Sequence, residues 1–288
     1  MKRRIRILLI EALVIVLAVS CLGGVVLCEN ALRLPANHRP SPPAGFGAPV
    51  EIQAADGIPL KASWFPPKDP GAPVVILLHG VGDSRRSFGG IVAMFQRNGF
   101  GALAPDSRGH GLSGGDQFTF GLKEVGDLNR WCDWVEKSSP GSRLYGLGES
   151  MGSGILLQAA GPGTRFRAVV AESPFATFWM VANHRVGQLV GYAATPFVAG
   201  AFVYARLRYG LNFREASPLK QVSKPGVPIL LIHGTKDENI PIEHTRFLAS
   251  ANPGRIQVWE VPGGDHVDAI ARAPVEFEKR VIGFLHAN

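Results

Sequence analysis

The sequence predicts an α/β fold with a mostly parallel central sheet covered by helices on both faces. It also predicts a helical cap inserted late in the chain and an N-terminal membrane helix. Three observations lead there. Short apolar runs alternate with amphipathic stretches from Val74 to the C-terminus, as strands buried on both faces require. A long aromatic-rich segment, without Asp or Glu from 173 to 213, interrupts that alternation. The first 28 residues are nearly all apolar behind a basic cluster.

That cluster is Lys2, Arg3, Arg4 and Arg6, and the run continues from Ile5 to Leu27 with one charge, Glu11, near its basic end. The run is long enough to span a bilayer with Glu11 near the headgroups. Residues 1–28 are therefore expected to be an uncleaved signal anchor, with the basic end cytoplasmic and the globular part on the other side. No clear small-x-small site precedes the mature-looking sequence. The alternatives are a cleaved signal, giving a secreted chain, and lipid attachment at Cys21 after Leu17-Ala18-Val19-Ser20. Residues 29–49 carry Pro35, Pro40, Pro42, Pro43 and Pro49 and read as a linker.

The remaining length, 50–288, suits one large domain. Val50–Ala54 and Leu60–Phe65 flank Asp56-Gly57, which predicts an opening hairpin. Strand Val74–Leu78 is followed by a helix over Ile91–Asn98 and a strand over Gly101–Pro105. Glu124–Glu136 places Val125, Leu128, Trp131, Cys132 and Val135 on one helical side. A strand at Arg143–Leu147, a helix at Ser153–Ala160 and a strand at Arg167–Ala171 follow. Strands Val227–Ile232 and Ile256–Val261 and a closing helix Val275–His286 complete the pattern. The insertion, about 175–222, holds a core without charge, Val186 to Ala205. Pro196, Gly187, Gly191 and Gly200 argue against one straight membrane helix there. It is expected to cap the domain, its apolar surface packing, lining a lipophilic pocket or touching a bilayer.

An apolar fraction of 46% supports a sizeable core. The formal charge of +7 is concentrated in the first few residues, with no basic run or nucleic-acid motif elsewhere, so no nucleic-acid partner is expected. Outside residues 1–28 the only cysteine is Cys132, which excludes an intradomain disulfide and reads as a buried small residue. With no metal-ligand cluster, phosphate loop or dinucleotide fingerprint, no metal and no cofactor are expected.

The chemistry is concentrated in Gly148-Glu149-Ser150-Met151-Gly152, which joins a strand to a helix. A turn this tight needs small flanking residues and pushes the serine hydroxyl out beyond the strand end. It also aims the N–H of Met151 at the place where an oxyanion would form. His79-Gly80, Asp237 and His266 each follow an apolar run, giving the chain order Ser, Asp, His.

On these motifs the chain resembles the α/β-hydrolase superfamily from about Val50 onward. Within it the chain is similar to membrane-anchored serine aminopeptidase-like (S33) and BEM46-like hydrolases. The residues that carry this are His79-Gly80-Val81-Gly82, Asp106-Ser107-Arg108-Gly109-His110-Gly111-Leu112-Ser113, Glu172-Ser173-Pro174-Phe175 and His233-Gly234-Thr235-Lys236-Asp237. The resemblance implies the α/β-hydrolase fold and an oxyanion-hole N–H at Val81, beside that of Met151. A serine nucleophile excludes the dehalogenases and epoxide hydrolases of this fold, which use aspartate.

Ser150 is the candidate nucleophile, His266 its base, and Asp237 the acid that orients the histidine. A membrane span within 186–205 would separate Ser150 from both partners. Glu238 and Glu172 are rival acids, while Asp265 and Asp268 are too near the histidine in sequence to orient its ring from behind. His79, His110 and His233 are expected to shape loops through bonds to backbone, and 106–109 to be a turn carrying a salt bridge. The leading expectation is hydrolysis of an ester or related acyl bond of a lipophilic small molecule through an acyl-enzyme. A peptidase or amidase is the second reading, weakened by the absence of cap acids to hold an α-amino group. A non-catalytic membrane-anchored binding protein is the third.

Overall fold

The computed structural model describes residues 2–34, 45–191 and 194–288. Of the expected linker, Pro35, Pro40, Pro42 and Pro43 lie outside the described residues, as does Tyr192 of the insertion.

Eight strands form one sheet: β1 (Ala48–Gln53), β2 (Pro59–Phe65), β3 (Val74–Leu78), β4 (Gly101–Pro105), β5 (Leu144–Glu149), β6 (Phe166–Glu172), β7 (Ile229–Gly234) and β8 (Ile256–Val261). Their order is β1-β2-β4-β3-β5-β6-β7-β8, in which the β1–β2 and β2–β4 pairs are antiparallel and the rest parallel. The opening hairpin forms as expected, because Asp56-Gly57 supplies a positive-φ glycine between the two runs.

The central strands are buried on both faces and divide their side chains by period two. On β3, Val74, Ile76 and Leu78 join a core shared with Leu128 and Trp131 of α3 (Glu124–Ser138) and Ile155 of α4 (Met151–Ala159). Val75 and Leu77 face the opposite core, against Phe95 of α2 (Gly89–Arg97) and Phe277 and Val281 of the closing helix (Pro274–Ala287). This is the predicted doubly covered parallel sheet. Cys132 is fully buried, and burial pushes its thiol up to about 12.

The 106–113 turn is structural. Asp106 accepts the N–H groups of Arg85 and Leu112 and pairs with the Arg85 guanidinium. Arg108 is buried between Asp127 and Asp56.

Two helices, α5 (Phe178–Val190) and α6 (Ala194–Tyr209), form the cap, followed by the short α7 (Pro218–Val222). Thr177 starts α5 by accepting the N–H of Met180. Their apolar sides enclose a third cluster with Phe175, Phe178, Val198, Phe202 and Phe213.

The N-terminal segment departs from expectation. Helix α1 (Lys2–Ala31) runs three residues beyond the expected end of the anchor and takes the first residues of the expected linker. Among the described residues no helix is long and apolar enough to cross a membrane, so the expected membrane helix is not found. Its second half is instead used for packing within the protein: Cys28 and Leu32 are buried in the cap cluster. Backbone meets backbone at the crossing with α6. A Cβ on Gly24 would lie 2.6 Å from the Ala201 nitrogen, and one on Gly200 would lie 2.7 Å from the Ser20 carbonyl oxygen. Three short helices, α7, α8 (Glu243–Ala251) and α9 (Ala269–Arg272), were not expected from the pattern.

Candidate active site

β5 ends at Glu149 and α4 begins at Met151, so the turn between them is the single residue Ser150. Its φ of 52° is in the left-handed region, where a non-glycine residue is strained. The flanking glycines are required by space: a Cβ on Gly152 would lie 1.9 Å from the Leu78 carbonyl oxygen, and one on Gly148 would lie 2.6 Å from the Gly152 carbonyl. Main-chain bonds hold the strained residue. Ser150 N–H donates to the Glu172 carbonyl at 2.9 Å, and the Ser153 hydroxyl lies 2.6 Å from the carbonyls of Glu172 and Gly148.

Asp237 follows β7 and His266 follows β8. The fold brings both to Ser150: Asp237 Oδ2 accepts from His266 Nδ1 at 2.8 Å, and Ser150 Oγ lies 2.9 Å from His266 Nε2. The other Asp237 oxygen accepts the N–H groups of Asn239 and Ile240, each at 2.9 Å. Burial alone would raise the pKa of Asp237. Hydrogen bonds from His233 and His266, with the charge His266 carries when protonated, outweigh it and hold the carboxyl well below the usual range. Asp237 is thus held as the carboxylate at neutral pH.

The rival acids sit elsewhere. Glu238 is exposed, and its carbonyl oxygen accepts from His184 and Gln188. Asp265 accepts the His266 N–H, and Asp268 pairs with Arg272. Glu172 is buried and accepts the Ala269 N–H at 2.9 Å. Burial, opposed by that hydrogen bond and reinforced by Asp268 and Asp237, pushes its carboxyl up to about 7. Burial next to Glu172 and Asp83 also pushes Glu149 well above the carboxylate range.

The loop carrying His266 is tied to the end of β6. Ser173 Oγ accepts the Val267 N–H at 3.2 Å, next to the Glu172–Ala269 bond. Both Ser173 and Val267 have positive φ, 49° and 53°, so backbone strain collects on either side of this contact. This positioning role of Glu172 and Ser173 was not anticipated. The Glu-Ser-Pro run was visible, but its partners lie about a hundred residues away.

The loop histidines act as expected. Ser107 N–H donates to His79 Nε2 at 3.0 Å, so the ring proton is on Nδ1, which donates to the Gly80 carbonyl at 2.8 Å. Burial lowers the pKa of His79, consistent with a neutral ring. His233 lies between Thr245 Oγ1 and the Ile240 carbonyl, and His110 meets the Arg108 carbonyl. Gly80 lies against the nucleophile, where a Cβ would come within 3.2 Å of Ser150 Cβ.

Above these residues is a cavity of about 560 Å³, within the range of small-molecule sites. Gly80, Val81, Ser150, Met151 and His266 form its floor, with Asp83 and Glu149 on the wall. Phe175, Phe178, Val181, Val198 and Phe202 form its roof. Leu27, Cys28, Ala31 and Leu32 of the N-terminal segment also line it, which the sequence reading missed. The signal was the small-residue spacing Ser20, Gly23, Gly24 opposite Gly200, which suits close helix packing. Among the described residues no group of three or more His, Cys, Asp or Glu is placed to hold a metal.

The chain is similar to several known proteins. A family described as serine aminopeptidase, S33, matches residues 69–197. The uncharacterized protein YqkD of Bacillus subtilis (strain 168) is 29% identical over 81% of this chain and 77% of its own length. A monoacylglycerol lipase of Mycolicibacterium smegmatis is 28% identical over 64% of this chain and 77% of its own. The structure of the Pyrococcus furiosus esterase Pf2001 superposes with a TM-score of 0.67 at 26% identity, covering 86% of this chain and 99% of the esterase.

Proposed function

Because the chain belongs to the α/β-hydrolase superfamily and is an enzyme of it, we propose that it hydrolyses esters of apolar acyl chains through an acyl-enzyme on Ser150. The observation that carries this is the Ser150–His266–Asp237 hydrogen-bond chain at the floor of an apolar cavity. The esterase and lipase relatives support the same substrate class.

In this mechanism Ser150 Oγ attacks the acyl carbon while His266 Nε2 takes its proton. Asp237 keeps the Nδ1–H tautomer and stabilises the imidazolium. The tetrahedral oxyanion is held by two backbone donors. Met151 is the first residue of α4, so its N–H has no partner within the helix. The second donor is Val81. The Gly80–Val81 peptide is trans, and its carbonyl is tied to His79, so the Val81 N–H points away from that ring. Collapse of the intermediate breaks the C–O bond, and His266 returns the proton to the leaving alcohol. Water then repeats the sequence, releasing the acid and restoring Ser150.

The test is turnover of p-nitrophenyl esters from acetate to palmitate by the full chain in detergent. Turnover that falls by about 10⁴-fold or more in Ser150→Ala is expected. Equal turnover in the mutant would sink the proposal. A second reading, peptidase or amidase, draws on the S33 match and on Asp83 and Glu149, which offer carboxyls on the cavity wall. Faster release from aminoacyl p-nitroanilides than from any ester would favour it.

For location, we propose that the chain is embedded in one face of a membrane through α1, with the catalytic domain on the extracytoplasmic side. The exposed Ile5, Leu8, Val19, Leu22 and Val26, near Arg4 and Arg6, support membrane contact. Recovery of the full chain in the wash of carbonate-treated membranes would count against it.

A further inference from the structure

The catalytic floor and the cap account for most of the cavity wall, but a third element completes it. Leu27, Cys28 and Ala31 of α1, with Leu32 just beyond it, face the same space as Ser150. Cys28 and Leu32 are 4% and 1% exposed and share one cluster with Val198, Ala201 and Phe202 of α6. They are part of the wall, not residues grazing its rim.

The helix is held in that position in two independent ways. The first is backbone proximity at Ser20, Gly24 and Gly200, where no side chain separates α1 from α6. Gly23 belongs to the same crossing, since a Cβ there would lie 2.4 Å from the Phe197 ring. The second is a polar clamp one turn beyond the crossing. Glu29 accepts from Tyr204 Oη at 2.8 Å and Tyr209 Oη at 2.5 Å, and it pairs with Arg33. Arg33 in turn donates to Tyr209 Oη at 3.1 Å. The Phe118 N–H closes onto the Leu32 carbonyl at 3.1 Å. All these partners belong to the cap or to the loop before α3, so α1 is packed with the roof of the cavity.

A substrate acylated at Ser150 has its carbonyl at the floor and must extend its chain toward the roof. The roof offers the rings of Phe178 and Phe202, and Cys28 and Leu32 pack into the same cluster. We infer that the N-terminal helix is the end wall of the acyl pocket, and that Leu27, Cys28 and Ala31 set the longest acyl chain the enzyme accepts. This rests on the acyl-ester reading above. The segment expected to serve only as an attachment to a membrane is thereby a specificity element. Removing it would open the pocket.

The experiment compares kcat/KM for dodecanoate and butyrate p-nitrophenyl esters in the full chain and in Cys28→Phe. The added ring fills the end of the pocket, so the dodecanoate-to-butyrate ratio is expected to fall at least 10-fold. In Cys28→Ala the ratio for palmitate over dodecanoate is expected to rise. Leu207→Ser, on the exposed side of α6, is the control and should leave both ratios alone. If Cys28→Phe does not fold, Ala31→Leu takes its place. Calorimetry of fatty-acid binding to Ser150→Ala, with and without the Cys28 change, separates the wall from the chemistry. Weaker dodecanoate binding in the Cys28 variant supports the wall even if no ester is turned over, an outcome that would sink only the ester reading. Unchanged ratios and unchanged acid binding across the variants would overturn the inference, as would equal loss at every chain length.

Discussion

At the floor of the cavity a Cβ on Gly152 would lie 1.9 Å from the Leu78 carbonyl oxygen; in the roof a Cβ on Gly187 would meet nothing nearer than Ala194 Cβ, at 3.9 Å. The same contrast runs through both regions. The floor is built from backbone. Strand ends approach within contact distance, positive φ is imposed on Ser150, Ser173 and Val267, and main-chain N–H or carbonyl groups take part in most of the bonds. The roof over the cavity is built from side chains, a cluster of stacked and tilted rings among Phe178, Phe202 and Phe213, and its backbone contact is at the α1–α6 crossing. Backbone geometry tolerates little change, whereas aromatic packing can be exchanged at moderate cost. The floor is therefore suited to hold a reaction, and the roof to hold a preference.

The largest expected effect is on the relay itself. Asp237→Asn keeps the shape but offers the wrong hydrogen-bonding partner to His266 Nδ1, and kcat is expected to fall about 10⁴-fold with little change in KM. Steady-state kinetics on the best ester checks this, and a loss under tenfold would move the acid role elsewhere. Next comes Gly152→Ala, which forces a methyl into a carbonyl that cannot retreat. A destabilisation of about 4 kcal/mol or more, or loss of soluble protein, is expected in chemical melts.

Glu172→Gln is expected to act through pH. In the folded chain Glu172 keeps its proton up to about pH 7, against an ordinary 4.5. The folded state therefore binds more protons than the unfolded state between those values. The stability this contributes is complete below pH 4.5 and is lost as pH rises through 7. The variant should therefore be more stable relative to the parent at pH 8 than at pH 5, by about 1–3 kcal/mol. Urea melts at the two pH values decide it, and parallel curves would break the assignment. The smallest effect is of opposite sign to that at the floor. Gly187→Ala lies within α5 with space around it, so a gain of about 0.5–1 kcal/mol is expected from helix propensity, read as a small rise in Tm.

Much of the floor was legible in the sequence because its constraints are local. Gly148 and Gly152 flank Ser150 within one turn, and the runs ahead of His79, Asp237 and His266 are short, apolar and correctly ordered. The roof was legible only as composition. Aromatic residues without acids imply a cap, yet they do not say what the cap touches. The N-terminal helix was harder still, since an apolar side chain suits a lipid neighbour and a protein neighbour equally well. The distinguishing marks were Gly23, Gly24 and Gly200, which matter only for close approach, and Glu29, which needs the distant Tyr204 and Tyr209. Short helices such as α9 carry too few residues for a periodic signal.

One dipeptide at the end of β6 joins the two halves of the site. The carbonyl of Glu172 holds Ser150 and Ser153, its carboxyl holds Ala269, and the hydroxyl of its neighbour Ser173 holds Val267. The segment bearing the nucleophile and the segment bearing the base thus hang from the same two residues. When the sheet breathes, both are carried along together, much as two needles on one spindle keep their separation while the dial shakes. The 2.9 Å between Ser150 and His266 is therefore set at the end of the sheet and not by the cap.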